Sequence, residues 1–259
     1  MITFTGNNLK DGIMRRCKII LLFAIAISMV ACSWSDGGVV KPKFEEYVLS
    51  TDDVGACEVI IRYQQIKNAK DSEALASIDM QNYQNTFDTY ALDVMDVEAS
   101  AKELADVYSG KGYGYDDEEL EWYYYHLDQR AFLTRDDRVV CYETYLEKYS
   151  GGVHGGCSLL YECFDLVSGA LYDFSYLFED AWSDAVRELV YNKLKEEYGV
   201  LLIESAEELP VTRSVLITDT GLLFVYNPYA VACFAAGILS VEFSDEEIAA
   251  TGAPLLWVE

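Results

Sequence analysis

Hydrophobic and polar residues alternate most regularly in the middle of the chain, in two runs at residues 139–149 and 157–166. Both runs are rich in aromatic and β-branched side chains, and the loop between them contains four glycines. Alternation bounded by a glycine cluster is typical of two strands joined as a hairpin. We therefore expect this hairpin to be the centre of the fold.

Apolar residues recur every four positions in residues 179–198, which predicts the longest helix of the chain. The members of this apolar ladder are Trp182, Val186, Val190, Leu194 and Tyr198. Gly199 follows, at the position where a glycine commonly ends a helix. We expect the amphipathic helix to lie across the sheet that contains the central hairpin.

The region before the hairpin predicts a smaller α/β part at residues 43–130. Strands are expected at residues 43–50 and 57–63, and helical spacing appears around Leu75 and Ile78. A further helix is expected from an Asp96 cap to residue 108. The aromatic run from Trp122 to Tyr125 is expected to be helical. It is either a contact platform, because Tyr and Trp are common in binding hot spots, or ordinary core packing with some exposed Tyr.

The region after the long helix predicts another hairpin, at residues 215–217 and 221–226, and a last strand at residues 238–243. Ser244 is in position to cap a short helix. Hairpins separated by one long helix favour an α+β fold over a doubly wound parallel sheet. We therefore predict antiparallel hairpins packed against the long helix, with a C-terminal domain at residues 131–259.

An export signal precedes the folded part. Arg15, Arg16 and Lys18 form a charged segment, and an apolar segment follows at residues 19–31. A helix of that length spans about 20 Å, which is short of the ~30 Å that crosses a bilayer. We interpret residues 1–31 as a cleaved signal peptide, with Met14 as the true start.

The end of this signal resembles a bacterial lipobox, with the sequence Met29-Val30-Ala31-Cys32. The resemblance implies cleavage before Cys32 and attachment of lipid to its thiol; an ordinary cleavage site nearby is the alternative. Residues 32–42 would then be a lipidated tether. The expected location is the cell envelope, with the protein anchored through lipid on Cys32 and facing the periplasm or the outer-membrane surface.

The chain carries a formal net charge of −25 at pH 7. Such a surface repels nucleic acid and attracts basic proteins, cations or cationic peptides. Acidic solubility alone is the alternative explanation. We expect no nucleic-acid partner.

The sequence offers little for catalysis or metal binding. Its only histidines are His126 and His154, and the spacings typical of zinc sites, P-loops and serine nucleophiles do not occur. We predict no metal and no cofactor, and regard an enzyme as the minority interpretation. His154, in the glycine-rich loop, is suited either to partner recognition or catalysis, or to a structural hydrogen bond that holds the loop. The neighbouring Gly151 and Gly152 are expected to supply positive φ angles.

Five cysteines remain after residue 32: Cys57, Cys141, Cys157, Cys163 and Cys233. If the hairpin turns near Gly152, Cys141 lies almost opposite Cys163, and the two are a candidate disulfide. Cys157 and Cys163 lie on one strand about 20 Å apart, beyond disulfide reach. The alternative is that all five are buried thiols.

Three motifs together resemble a known family. They are Y-S-G-G-V-H-G at residues 149–155, F-D-x-x-x-G-x-x-Y-D-F-x-x-L-F at residues 164–178, and G-L-x-F-x-Y-N-P-Y at residues 221–229, followed by Gly237. The set is similar to the RsiV-like extracytoplasmic C-terminal domain family, domain of unknown function 3298, over roughly residues 131–244. The resemblance implies an α+β domain with a binding or sensing role outside the cytoplasm.

The expected function is therefore a non-enzymatic envelope lipoprotein that binds a basic protein such as lysozyme, or an envelope glycan. The alternatives are a cell-envelope hydrolase that uses His154 with a nearby carboxylate, and a structural scaffold lipoprotein. The residues predicted to bind are His154, Gly151, Gly152, Tyr149, Trp122, Tyr124, Tyr226 and Tyr229.

Overall fold

The computed structural model describes residues 39–51, 57–89, 95–108 and 123–258. The first part contains β1 (Phe44–Thr51), β2 (Cys57–Ile66), α1 (Glu73–Phe87) and α2 (Val97–Tyr108). The central part contains β3 (Tyr123–Thr134), β4 (Val139–Tyr149) and β5 (Gly156–Asp165). The last part contains α3 (Ser183–Tyr198), β6 (Val215–Ile217), β7 (Gly221–Tyr226), β8 (Leu239–Ser244) and α4 (Asp245–Ala250).

Strands β1 to β5 form one sheet in sequence order. All neighbouring pairs are antiparallel except β2 and β3, which are parallel. The parallel pair arises because α1 and α2 lie between these strands in the chain, and a parallel connection needs such a crossover. The central hairpin expected from the sequence is β4–β5, and its bounds agree with the prediction to within one residue.

Tyr123, Tyr124 and Tyr125, which follow Trp122 in the aromatic run, belong to β3 and are not helical, so the helical interpretation of these residues was wrong. Successive side chains of a strand point to opposite faces of the sheet. Accordingly Tyr125 and Leu127 are buried beneath the helices, whereas Tyr124 and His126 are only partly buried on the other face. A run of tyrosines fits this pattern because Tyr favours strands and tolerates both environments.

Helices α1 and α2 cover one face of the five-stranded sheet. The side chain of Ser72 accepts hydrogen bonds from the first backbone N–H groups of α1, and the side chain of Asp96 accepts one from the N–H of Ala99 in α2. The Asp96 cap was predicted. The apolar residues packed beneath the two helices are Val59, Ile61, Tyr63, Tyr83, Phe87, Val97, Ala101, Ala105, Tyr125 and Leu127.

Strands β6, β7 and β8 form a second, antiparallel sheet, which packs with α3 into a separate core. The ladder residues Val186, Val190 and Leu194 are fully buried there, as the four-residue spacing predicted. The same core includes Cys141 and Cys163, so the second sheet lies against β4 and β5. The long helix therefore packs on a three-stranded sheet of its own, where one common sheet had been expected.

Mixed helices and strands in two sheets confirm the α+β class. The boundary predicted between residues 130 and 131 lies inside β3, so the five-stranded sheet continues across it. The signal peptide, Cys32 and most of the predicted tether lie outside the described residues.

Candidate functional site

The loop between β4 and β5 is shaped by two glycines. Gly151 and Gly152 have φ angles of 95° and 100°, a region that residues with a side chain rarely adopt. The Tyr149 hydroxyl donates a hydrogen bond to the Gly152 carbonyl at 2.9 Å and ties the loop to the end of β4. The turn leaves the side chain of Val153 completely exposed. The positive φ angles expected from the sequence are thus present, and they project residues 153 and 154 outward.

His154 lies against two aromatic side chains from the segment that follows β7. Its ring stacks on Phe234 with centroids 3.8 Å apart and an interplanar angle of 18°. Nδ1 is 2.8 Å from the Gly155 carbonyl oxygen and Nε2 is 3.1 Å from the Tyr229 hydroxyl. Because a carbonyl can only accept, Nδ1 carries the proton of the neutral ring and Nε2 accepts from Tyr229. We call His154, Tyr229 and Phe234 the His154 cluster.

The chain after β7 is held in place by Asn227. The side chain of Asn227 accepts a hydrogen bond from the Leu159 N–H at 2.7 Å and donates one to the Leu159 carbonyl at 3.3 Å. Tyr229, two residues later, has a φ of 69° and is 61% exposed. A non-glycine residue in this backbone region is uncommon and is often found at functional sites. The Tyr229 ring is thus held at the surface beside His154.

Tyr124 connects this cluster to the sheet. A Cβ atom added at Gly155 would lie only 2.7 Å from the Tyr124 hydroxyl, so the glycine permits the loop to approach the strand closely. The Tyr124 ring lies 6.1 Å from that of Tyr149 and 5.2 Å from that of His126. Partial desolvation and the carboxylate of Glu147 raise the pKa of Tyr124. A row of aromatic side chains therefore runs from the loop onto β3.

The face of β2, β3 and β4 that carries Tyr124 also carries charge pairs between neighbouring strands. His126 Nε2 is 3.0 Å from Glu58, Arg62 is 3.8 Å from Asp128, and Arg130 contacts Glu143. These acids outnumber the two arginines, and Glu147 adds another carboxylate to the face. We call the part of this face formed by Glu58, Arg62, Tyr124, His126, Asp128, Arg130, Glu143, Tyr145, Glu147 and Tyr149 the open sheet face. It is acidic, aromatic and at least partly exposed.

Six of the predicted binding residues meet at this end of the sheet: Tyr124, Tyr149, Gly151, Gly152, His154 and Tyr229. Tyr226 does not join them, because it is 2% exposed within the C-terminal core, so its inclusion in the binding set is corrected here. Trp122 and Cys32 lie outside the described residues. Phe234 and His126 were missed. Phe234 had no motif to mark it, and His126 would have been found by treating residues 123–134 as a strand.

A second concave region lies at the opposite end of β4, around the β3–β4 turn. It is a cleft of about 640 Å³ whose lining includes Arg135, Arg138, Asp165, Tyr172 and Trp257. Three consecutive residues of the turn, Arg135, Asp136 and Asp137, have φ angles of 54°, 53° and 62°. Sequence reasoning did not identify this region.

The strained turn is held by a partly buried ion pair. The Arg135 guanidinium donates to both carboxylate oxygens of Asp245, at 2.7 and 2.8 Å. Partial burial alone would raise the pKa of Asp245, but the hydrogen bonds from Arg135 and from Trp257 Nε1 lower it overall. The side chain of Asp219 accepts a further hydrogen bond from the Arg135 N–H. The contacts of Arg135 with Asp245 therefore connect the five-stranded sheet to the start of α4.

Within the described ranges, no group of three or more His, Cys, Asp or Glu side chains is placed to hold a metal ion. The helices in the same residues are all too short or too polar to cross a bilayer.

Comparison with known proteins identifies part of the chain. Residues 176–246 match a family model described as protein of unknown function (DUF3298). This segment carries the DUF3298 signature. The resemblance to domain of unknown function 3298 predicted from the sequence motifs is thereby confirmed for residues 176–246. The matched residues contain α3, the second sheet and the two aromatic residues that contact His154, whereas the loop that carries His154 precedes them.

Two solved DUF3298 structures share the fold. A family member from Bacteroides fragilis superposes with a TM-score of 0.65 at 17% identity, covering 80% of this chain and 92% of its own. A family protein from Pseudomonas aeruginosa gives a TM-score of 0.53 at 12% identity, covering 82% of this chain and 94% of its own. No curated protein matches the chain. The shared architecture therefore extends well beyond the DUF3298 segment.

Proposed function

We propose that the protein is an envelope lipoprotein that binds a basic extracytoplasmic protein, such as a lysozyme, through the His154 cluster and the open sheet face. The observation that carries this proposal is the partly exposed stack of His154 on Phe234 beside Tyr229, which is presented by the glycine-rich loop and is continuous with an acidic face. Exposed aromatic side chains provide large contact area at low entropic cost. They are also enriched among residues that dominate binding energy.

Charge supports a basic partner over an acidic one. The chain carries a net charge of −25, and the carboxylates of the open sheet face exceed its arginines. Positive groups of a partner would therefore approach faster at low ionic strength, and the association would weaken with added salt. Cationic side chains also interact favourably with the faces of Tyr and Phe rings.

The binding test uses the mature chain with Cys32→Ser, which removes the proposed site of acylation. Immobilised protein is challenged with hen lysozyme at 20 mM and 500 mM salt, and the dissociation constant is measured at each. We expect retention at low salt that falls sharply at high salt. Absence of retention at low salt would remove lysozyme as a partner; binding of soluble peptidoglycan fragments in the same assay would assign the surface to a glycan.

Variants locate the binding surface. Phe234→Ala and Tyr229→Ala are each expected to weaken binding by about 10- to 30-fold, the usual cost of truncating a central aromatic contact. Val200→Ala, at a side chain that is 88% exposed on another part of the surface, is the matched control. Equal affinities for all of these variants would place the interface elsewhere.

The hydrolase alternative finds less support in the geometry of His154. Its two ring nitrogens contact neutral groups, the Gly155 carbonyl and the Tyr229 hydroxyl, whereas a general base of this type is commonly oriented by a carboxylate. Turnover of peptidoglycan fragments that disappears in His154→Ala would establish it nonetheless. The scaffold alternative predicts stable neighbours in the envelope, which crosslinking in cells would capture without added lysozyme.

The lipid anchor is a separate part of the proposal. It is supported by the lipobox resemblance at residues 29–32 and by the short apolar segment before it. Mass spectrometry of the N-terminal peptide from the mature protein is expected to show an acylated Cys32. An unmodified Cys32 would remove the tether and leave the binding surface to be judged by its own assay.

A further inference from the structure

Two cysteines face each other across the central hairpin. Cys141 of β4 and Cys163 of β5 are direct partners in the antiparallel register, and their sulfur atoms are 3.2 Å apart. Direct antiparallel partners have Cα atoms about 4.5–5.5 Å apart, which lies within the range of about 4.4–6.8 Å that a disulfide spans. Forming an S–S bond of about 2.05 Å therefore requires a side-chain adjustment of about 1 Å and no movement of the strands.

The surroundings of the pair restrict its chemistry. Cys141 is 0% exposed and Cys163 is 1% exposed, and both lie in the core between β4, β5 and the second sheet. The Cys163 sulfur accepts a hydrogen bond from the Ile217 N–H at 3.3 Å, and the Thr134 hydroxyl lies 3.6 Å from the Cys141 sulfur. Burial raises the pKa of the Cys163 thiol, so the reactive thiolate is suppressed in the folded protein.

We propose that Cys141 and Cys163 form a cross-strand disulfide when the chain folds under oxidising conditions. The two thiols lose two protons and two electrons, and the electrons reduce one disulfide of an oxidant to a pair of thiols. Oxidised glutathione serves as that oxidant in solution; an extracytoplasmic dithiol–disulfide oxidoreductase would serve in the envelope. Because both sulfurs are buried, the exchange takes place before the second sheet closes over the hairpin.

Cys157 and Cys233 do not offer an equivalent pair. Cys157 is partly exposed near the start of β5, and Cys233 is exposed beside the His154 cluster. Cys157 precedes Cys163 by six residues on the same strand, which places the two too far apart to bond. The direct cross-strand partner of Cys157 is Glu147, whereas that of Cys163 is Cys141. The register thus selects one pairing.

The bond would keep β4 and β5 covalently linked in the unfolded chain as well as in the folded one. It closes a loop of 22 residues and reduces the freedom of the unfolded chain. We expect the midpoint of thermal unfolding to rise by roughly 5–10 °C relative to the reduced protein. Once formed, the bond should resist reductant in the folded state, because a thiolate cannot reach either sulfur until the core opens.

The test refolds the mature chain, with Cys32→Ser, in oxidised glutathione or in excess reductant. Peptide mapping under denaturing, alkylating conditions is expected to find the Cys141–Cys163 linked peptide only after oxidative refolding. Native oxidised protein should lose the link to dithiothreitol at least about 1,000-fold more slowly than protein in denaturant. The variant Cys157→Ser/Cys233→Ser is the control that keeps the pair and should behave in the same way.

Two results would overturn the proposal. The first is free, fully alkylated Cys141 and Cys163 in oxidatively refolded protein of native circular dichroism. The second is an equal unfolding midpoint for the oxidised and reduced wild-type protein. The second comparison needs no substitution at Cys141 or Cys163, so it decides the matter whether or not such a variant would fold. Because the bond is tested in solution, its failure is distinct from failure of the proposed envelope location or of lysozyme binding.

Discussion

The protein has two interiors of opposite character. The C-terminal core, between α3 and the second sheet, is filled by apolar side chains such as Val190, Leu194 and Phe224. The interior between α1 and the five-stranded sheet instead contains a hydrogen-bonded polar network in which Asp79, Asn82 and Gln129 are fully or almost fully buried. The C-terminal core is held together by close packing. The interior beneath α1 is held together by packing and also by hydrogen bonds between buried polar groups.

Gln129 is the centre of the polar network. Its side-chain oxygen accepts from the Gln64 N–H at 3.0 Å, and its nitrogen donates to the Asn82 side chain at 2.9 Å and to the Thr144 hydroxyl at 3.0 Å. The side chain of Asp79 accepts from the Ile66 N–H at 2.7 Å. Each of these bonds gives a partner to a polar group that would otherwise be buried without one. The two interiors therefore make different demands on their side chains: close packing in the C-terminal core, and paired polar groups beside apolar ones beneath α1.

The largest effect is expected in the apolar core. Phe224→Ala removes a fully buried ring that packs edge-on against Phe178 and Phe243, and it should lower the free energy of unfolding by about 3–5 kcal/mol. Urea unfolding followed by circular dichroism measures the loss. Val200→Ala, at an exposed side chain, is the control and should stay within about 0.5 kcal/mol of wild type. A loss below about 1 kcal/mol for Phe224→Ala would contradict close packing at this position.

A smaller loss is expected in the polar interior. Gln129→Leu keeps most of the side-chain volume but leaves the Gln64 N–H and the side-chain oxygen of Asn82 without the Gln129 amide. Unpaired buried groups of this kind cost about 1–3 kcal/mol, so we expect a loss of about 2–3 kcal/mol in the same urea experiment. Asn192→Leu, at an exposed amide on α3, is the matched polar-to-apolar control. An unchanged Gln129→Leu protein would mean that packing alone holds this interior.

The two interiors should also differ in their response to pH. Burial raises the pKa of Asp79 to about 6 and that of Glu162 to about 7, although hydrogen bonds from Ile66 and Asn85, respectively, oppose the shifts. The folded state therefore binds these protons more tightly than the unfolded state. Stability is greatest while both groups are protonated and falls as pH rises from about 4 to 7, by up to about 3 kcal/mol per carboxyl.

Glu162→Gln isolates this effect. The amide oxygen can still accept from Asn85, but it does not ionise, so the variant should exceed wild type by about 2 kcal/mol at pH 8 and match it at pH 4.5. Glu188→Gln, at an exposed position of α3, should show little difference from wild type at either pH. If the free energy of unfolding changed with pH in the same way for wild type and Glu162→Gln, Glu162 would not bind its proton more tightly in the folded protein.

The smallest effect is expected at the edge of the apolar core, where Ser244 caps α4. Its side chain accepts from the Glu247 N–H while the Glu247 carboxylate accepts from the Ser244 N–H, which is a complete capping box. Ser244→Ala should cost about 1 kcal/mol by thermal or urea unfolding. Ser150→Ala, in the exposed loop after β4, is the control. A cost above about 2 kcal/mol would show that the cap also supports the neighbouring Arg135–Asp245 ion pair.

Part of the candidate site was accessible from the sequence. The glycines at 151 and 152 predicted a tight turn, and the motifs drew attention to His154 and Tyr229. The partners that fix His154 could not be found in this way, because Phe234 lies 80 residues away and carries no pattern of its own. Tyr226 was included because it belongs to the motif at residues 221–229, and a motif does not say which face of a strand is buried.

The elements with strong periodicity follow from the amino-acid sequence alone: the β4–β5 hairpin, the ladder of α3, the β6–β7 hairpin and the Ser244 cap. Local spacing suffices there because each element buries a regular subset of its own residues. Three other features are set by contacts between distant elements: the division of the strands into two sheets, the parallel pairing of β2 and β3, and the polar interior beneath α1. These features depend on which faces meet, and a buried Gln or Asp is stable only beside partners that are distant in the chain.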